Sequence, residues 1–285
     1  MFRMPATMLV PALAALAALA LSCDAPQAAS IFAPTSAFAA EAGRSGAANT
    51  TIVLVHGAWA DGSSWQRVIP LLQKEHYRVI AVQNPLSSLP NDVETTKRLI
   101  DRETSQGRNV VVVAHSYGGA VMSGAAADNP GVKALVYVAA FAPDAGERLD
   151  AFLQQYPTAI QSAFEPPDAA GYLYLSPEKY GSIFASDLPE REARIMWASQ
   201  KPLNAIVFGQ SNPVAAWHSV PSWFIVAKQD KVISPDLERF YAKRMNARTR
   251  EIDGSHVVFL SHPKQVAKVI LDAAASVSTG PIANR

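Results

Sequence analysis

Val110-Val111-Val112-Val113-Ala114-His115-Ser116-Tyr117-Gly118-Gly119 is the stretch from which the rest of this chain is best understood. Four β-branched residues in succession favour an extended backbone, and an apolar run with no alternation suits a strand buried on both faces. The run then stops at a serine among small residues. A buried strand needs no hydroxyl at its tip, and Gly118-Gly119-Ala120 lets a helix begin so close that Ser116 must sit on a sharp turn. The hydroxyl is thereby presented at the strand end with a helix N-terminus behind it, as a nucleophile would be.

The chain has 285 residues, a formal charge of +1 and 49% hydrophobic residues. It is therefore neither a polyanion binder by charge nor a disordered chain, and no nucleic-acid partner is expected. Arg3 precedes an apolar run from Met8 to Leu21, followed by small residues ending in Ala37-Phe38-Ala39. This pattern predicts an export signal over residues 1–39 and a periplasmic or secreted destination. The run is shorter than the roughly 18 residues a spanning helix needs, and Pro11 lies inside it, so no spanning helix is expected after processing. Ala-Leu-Ser-Cys ending at Cys23, the only cysteine, also resembles a lipid-attachment box, with Leu21 poorly suited to it. Residues 40–50 are small and polar and predict a flexible linker. The domain that follows, 51–285, has no cysteine, hence no disulfide, catalytic thiol or thiolate metal site.

From Thr51 onward, short apolar runs alternate with helical periodicity, which predicts a mostly parallel sheet flanked by helices. Strands are expected near Thr51–Val55, Arg78–Val82, Val110–Ala114, Ala134–Ala139, Trp223–Ala227 and Arg248–Ile252. Helices are expected near Ser64–Lys74, Asp92–Ser105, Gly119–Asp128, Pro235–Met245 and Pro263–Ala273. Between Phe141 and Trp217 the alternation breaks into short helical patterns with many prolines, which predicts a helical cap inserted at about 145–217. Ligands of open α/β sheets bind at the carboxyl ends of the strands. The chemically interesting residues all follow predicted strands.

A serine hydroxyl is a poor nucleophile until a base takes its proton, and the base needs an acid to hold its tautomer. His256, in Asp253-Gly254-Ser255-His256, and Asp230, in Gln229-Asp230-Lys231, each follow a strand. Asp144 is a rival acid, although Pro143-Asp144-Ala145-Gly146 has the composition of a turn. An oxyanion needs two donors aimed at one point. The Tyr117 amide, directly after the serine, and the Ala58 amide, in His56-Gly57-Ala58-Trp59, are the candidates, with His56 bracing the loop. Trp59, Trp197 and Trp217 are expected to line an apolar pocket, alongside other aromatics that belong to the core. His76 and His262 are expected at solvated helix ends, and His218 without a partner. No two of these share a helical face with a carboxylate, so no metal site is expected.

These residues resemble the plant-type methylesterase and hydroxynitrile lyase branch of the α/β-hydrolases and its bacterial esterase relatives. The resemblance rests on Val53-Leu54-Val55-His56-Gly57-Ala58-Trp59, Trp65, Pro70-Leu71-Leu72, His115-Ser116-Tyr117-Gly118-Gly119, Ala139-Ala140-Phe141-Ala142-Pro143-Asp144, Gln229-Asp230 and Gly254-Ser255-His256. It implies an α/β-hydrolase fold and a serine hydrolase without a cofactor, acting on a small apolar ester. Ser116 would be the nucleophile, His256 the base and Asp230 the acid, with Ala58 and Tyr117 forming the oxyanion hole. Lyases of this branch carry threonine where this chain has Gly57 and lysine where it has Val257. A lyase or perhydrolase activity on the same triad and a non-catalytic periplasmic binding module remain as rivals. The sequence leaves the number of subunits open.

Overall fold

The structure, a computed structural model, describes residues 47–278. Its strands are β1 (Thr50–Val55), β2 (Arg78–Ala81), β3 (Asn109–Ser116), β4 (Val132–Ala140), the two-residue β5 (Tyr172–Leu173) and β6 (Leu203–Asn204), β7 (Ser222–Ala227) and β8 (Arg248–Ile252). Six of them form one sheet in the order β2-β1-β3-β4-β7-β8, with every neighbouring pair parallel. Helices flank it: Leu89–Thr104 packs beside Gly118–Ala125, and Ile69–Lys74 beside Pro263–Ser278. This is the α/β-hydrolase fold that the sequence implies.

β3 lies inside the sheet between β1 and β4, so Val110 to Val113 are all fully buried. Each contributes about 1.5 kcal/mol or more by leaving water. The edges are built differently. Four of the five residues of β8, Arg248 to Glu251, are exposed, and three of them are charged. Charge along an edge strand discourages pairing with another chain.

Helix boundaries depart from expectation where proline or a cap intervenes. The helix expected over Ser64–Lys74 is divided into a 3-10 turn, Gly62–Arg67, and a helix, Ile69–Lys74. Pro70 has no N–H to give and its ring bars a continuous α-helix from preceding it, so it occupies a first turn instead. The next helix starts at Leu89 rather than Asp92, because the Ser88 side chain accepts the Asn91 N–H and caps it.

After β4 the chain leaves the regular alternation, and it rejoins at β7. The intervening stretch includes the helices Leu149–Gln155 and Glu190–Ala198, a π-helical turn at Tyr180–Phe184 and the antiparallel β5–β6 pair. Two-residue strands are too short for alternation to announce them. This stretch is tied to loops at the carboxyl end of the sheet. Trp59 Nε1 donates to the Leu173 carbonyl at 3.0 Å and Thr158 Oγ1 to the Val232 carbonyl at 3.0 Å. The Ser255 N–H donates to Asp187 at 2.8 Å.

The export signal expected over 1–39, with Cys23, and residues 40–46 of the expected linker lie outside the described residues. The linker's last residue, Thr50, already pairs with Asn109 in the sheet. Among the described residues no helix is long and apolar enough to cross a membrane.

Candidate active site

Ser116 closes β3 with φ of 55°, in the left-handed region, and the helix Gly118–Ala125 begins two residues later. A non-glycine residue held there costs about 1 kcal/mol or more, which the surrounding structure must offset. β3 and β4 slip in register between His115 and Ser116, with Ala139 at φ of 45°. The Phe141 N–H then donates to the Ser116 carbonyl at 3.1 Å. A Cβ on Gly119 would lie 2.1 Å from the Phe141 carbonyl oxygen, so only glycine lets the helix start this close to the end of β4.

Three loops at one edge of the sheet bring Ser116, His256 and Asp230 together. His256 Nδ1 lies 2.6 Å from Asp230 Oδ2, and His256 Nε2 lies 2.9 Å from Ser116 Oγ. Nδ1 donates to the carboxylate, which leaves Nε2 to accept the serine proton. Asp230 Oδ1 accepts the backbone N–H groups of Val232 at 2.6 Å and Ile233 at 3.0 Å, so the carboxylate is fixed on both oxygens. All three side chains are buried. The Phe184 ring stands edge-on to the His256 ring, with centroids 5.0 Å apart, and His115 packs on it at 4.6 Å. Asp144 does not meet His256. It lies 2.7 Å from His218 Nε2, which gives His218 the partner that the sequence did not reveal. His262 is half-buried beside Ser261 rather than solvated, while His76 is exposed.

The loop after β1 is braced by His56. Its Nε2 accepts the Asn84 N–H at 3.0 Å, which places the ring proton on Nδ1, 2.8 Å from the Gly57 carbonyl. Burial above all lowers its pKa to about 4, so the ring is neutral at pH 7. His115 Nε2 donates to the His256 carbonyl at 2.9 Å, and burial likewise holds this ring well below the usual histidine range. The Tyr117 hydroxyl donates to Asp92 Oδ2 at 2.8 Å, and Asp92 Oδ1 accepts the Leu86 N–H at 2.8 Å. Nothing in the sequence near Tyr117 points to Asp92, which lies 25 residues away in a helix.

Ala58 and Tyr117 line a cleft above Ser116 together with Trp59, Phe141, Leu153 and Phe164, and among the described residues no charged side chain lines it. Its volume is about 20 Å³, room for about one water molecule. Trp197 and Trp217, expected at this pocket, are elsewhere. Trp197 Nε1 donates to the Leu175 carbonyl at 2.9 Å, and the residue lines a separate open cleft beside Tyr180. Trp217 Nε1 donates to the Pro143 carbonyl at 3.1 Å, and its ring stacks on His218. These two carbonyls satisfy the indole N–H groups and hold the rings where they stand.

The chain matches the alpha/beta hydrolase family over residues 52–269, and it belongs to that family. It is 28% identical over 246 residues to alpha/beta hydrolase nvfD of Aspergillus novofumigatus, covering 78% of this chain and 96% of that one. It is 26% identical over 253 residues to methylesterase 1 of Arabidopsis thaliana, covering 78% and 95% of the two chains. Among solved structures, a pyrethroid hydrolase, PytH, matches with a TM-score of 0.68 over 81% of this chain and 99% of its own. At 24% identity that likeness concerns the fold alone.

Proposed function

We propose that this protein is a serine hydrolase that cleaves a small carboxylic ester through an acyl-enzyme on Ser116. The observation that carries this reading is the hydrogen-bonded sequence Ser116 to His256 to Asp230 beneath an apolar cleft. Ser116 Oγ attacks the ester carbonyl carbon as His256 Nε2 takes the hydroxyl proton. The carbonyl oxygen becomes an oxyanion, held by the Ala58 and Tyr117 amides. The Tyr117 amide stands at a helix N-terminus, where such donors have no intrahelical acceptor. The carbon–oxygen bond to the alcohol breaks, and the imidazolium returns its proton to the departing alkoxide. Water, deprotonated by His256, then attacks the acyl carbon; the bond from that carbon to Ser116 Oγ breaks, the imidazolium returns its proton to Oγ, and the acid leaves. Asp230 stays ionised throughout and stabilises the imidazolium. Neither step draws on a cofactor.

The uncharged cleft favours compact apolar acyl or alcohol groups. Methylesterase 1 among the relatives supports an ester substrate. Gly57 and Val257 count against the lyase reading, because they stand where the lyases of this branch carry threonine and lysine. The amino-terminal segment supports export as the setting in which the enzyme works.

The test is hydrolysis of p-nitrophenyl acetate, butyrate and octanoate by wild type and Ser116→Ala, with folding confirmed for both. Wild-type turnover that falls with chain length and drops about 10⁴-fold or more in the variant is expected. A folded variant that keeps more than about a tenth of the activity would sink the assignment.

A further inference from the structure

Behind Asp230 lies a second buried acid. Glu238, on the helix Pro235–Arg244, is fully buried. Its Oε2 accepts the Ala227 N–H at 2.9 Å, while its buried Oε1 meets no donor among the described residues. The side chain within its hydrogen-bonding reach is Asp230, another acceptor. Two ionised carboxylates in such contact, shut away from water, repel each other, and one proton between them replaces that repulsion with a hydrogen bond. The available donors decide which acid holds it. Asp230 already accepts from Val232 N, Ile233 N and His256 Nδ1, whereas among the described residues Glu238 accepts from Ala227 N alone.

We propose that Glu238 is a neutral carboxylic acid that donates a hydrogen bond to Asp230 and so positions that carboxylate against His256. It is a positioning residue, and the proposal rests on the reading of Ser116, His256 and Asp230 as the working triad. The surroundings agree with it. Burial and the Asp230 charge both raise the pKa of Glu238 well above the usual carboxylate range. Arg239 opposes them, but its guanidinium is engaged by Asp236 and Glu251 at the surface. β7, against which this helix packs, contributes no titratable side chain. In the loop around Asp230, Lys228 pairs with Asp253, and Lys231 donates to the Ser182 carbonyl. A neutral Glu238 supplies Asp230 with one more donor while adding no second negative charge beside the His256 imidazolium.

The experiment compares the full chain with Glu238→Gln, which keeps an acceptor for Ala227 and a donor for Asp230, and with Glu238→Leu, which keeps neither. Two readouts need no turnover. The wild-type minus Glu238→Gln infrared difference spectrum at neutral pH is expected to show the C=O band of a protonated carboxylic acid. The downfield proton resonance of the His256 Nδ1–H is expected to stay in place in Glu238→Gln and to move in Glu238→Leu. For ester turnover, Glu238→Gln should keep kcat within about threefold with the acid limb of the pH profile unmoved, while Glu238→Leu loses about tenfold in kcat at unchanged KM. Absence of the acid band overturns the proposal. So does an acid limb in Glu238→Gln lower by about half a unit or more, since that would mean a negative charge had been removed from beside His256. If Glu238→Leu does not fold, the band and the Glu238→Gln profile decide the matter. If turnover proves independent of Ser116, the triad reading fails, while the band and the resonance still test Glu238 itself.

Discussion

The Nε2 of His115 lies 2.9 Å from the carbonyl oxygen of His256, so the residue beside Ser116 holds the backbone of the residue whose ring faces the Ser116 hydroxyl. Both rings are buried, with centroids 4.6 Å apart. Leucine at position 115 would leave the His256 carbonyl without this donor. We expect His115→Leu to lose about 1–3 kcal/mol of stability in urea denaturation and about tenfold or more in kcat through displacement of the base. His115→Gln, which can still donate, should recover part of both.

The contact between Gly57 and Ser116 carries a second prediction. A Cβ at position 57 would stand 2.7 Å from Ser116 Cβ and 3.1 Å from His115 Nδ1. Gly57→Thr, which introduces the residue of the lyase branch, must therefore displace the serine. Ester kcat should fall about 100-fold, the scale of a misplacement near 1 Å. Cyanohydrin cleavage by the variant is not expected. A Gly57→Thr protein with undiminished ester turnover would show that the turn is softer than this packing implies.

The buried histidines give stability a pH dependence of known sign. His56 has a folded pKa of about 4 against an ordinary value of 6.5. Between those values the unfolded chain binds the proton more tightly, so this stability is present above pH 6.5 and is lost as pH falls toward 4. The loss is on the order of 3 kcal/mol. His115 acts in the same direction, whereas Asp92 and Glu238, whose pKa values are raised, act against it. The clean measurement is therefore a difference. Urea denaturation of wild type and His56→Gln at pH 7 and pH 4.5 should show a shallower acid loss in the variant.

The elements that sequence reveals well here are those decided by near neighbours. Ser116 is legible because four valines precede it and two glycines follow, and these alone force the turn. His256 and Asp230 are legible because each follows a strand, and parallel strands end at one edge. The choice between Asp230 and Asp144 needed the third dimension, as did the Asp92–Tyr117 and Asp187–Ser255 contacts, whose partners are far apart in the chain. Trp197 and Trp217 lie away from the pocket expected for them, and the carbonyls that anchor their indoles carry no mark in the sequence. Glu238 looks like an ordinary acid in the first turn of a helix capped by Ser234, a position that normally faces water. Only its burial against Asp230 sets it apart.

Covalent acylation of Ser116 is read out by intact-protein mass spectrometry after treatment with a fluorophosphonate, which reacts at an activated serine hydroxyl. A single phosphonyl adduct is expected, mapped to the peptide containing Ser116, formed in step with loss of ester turnover and absent from Ser116→Ala. A folded wild-type protein that hydrolyses esters yet remains unlabelled, or an adduct that persists in Ser116→Ala, would contradict it.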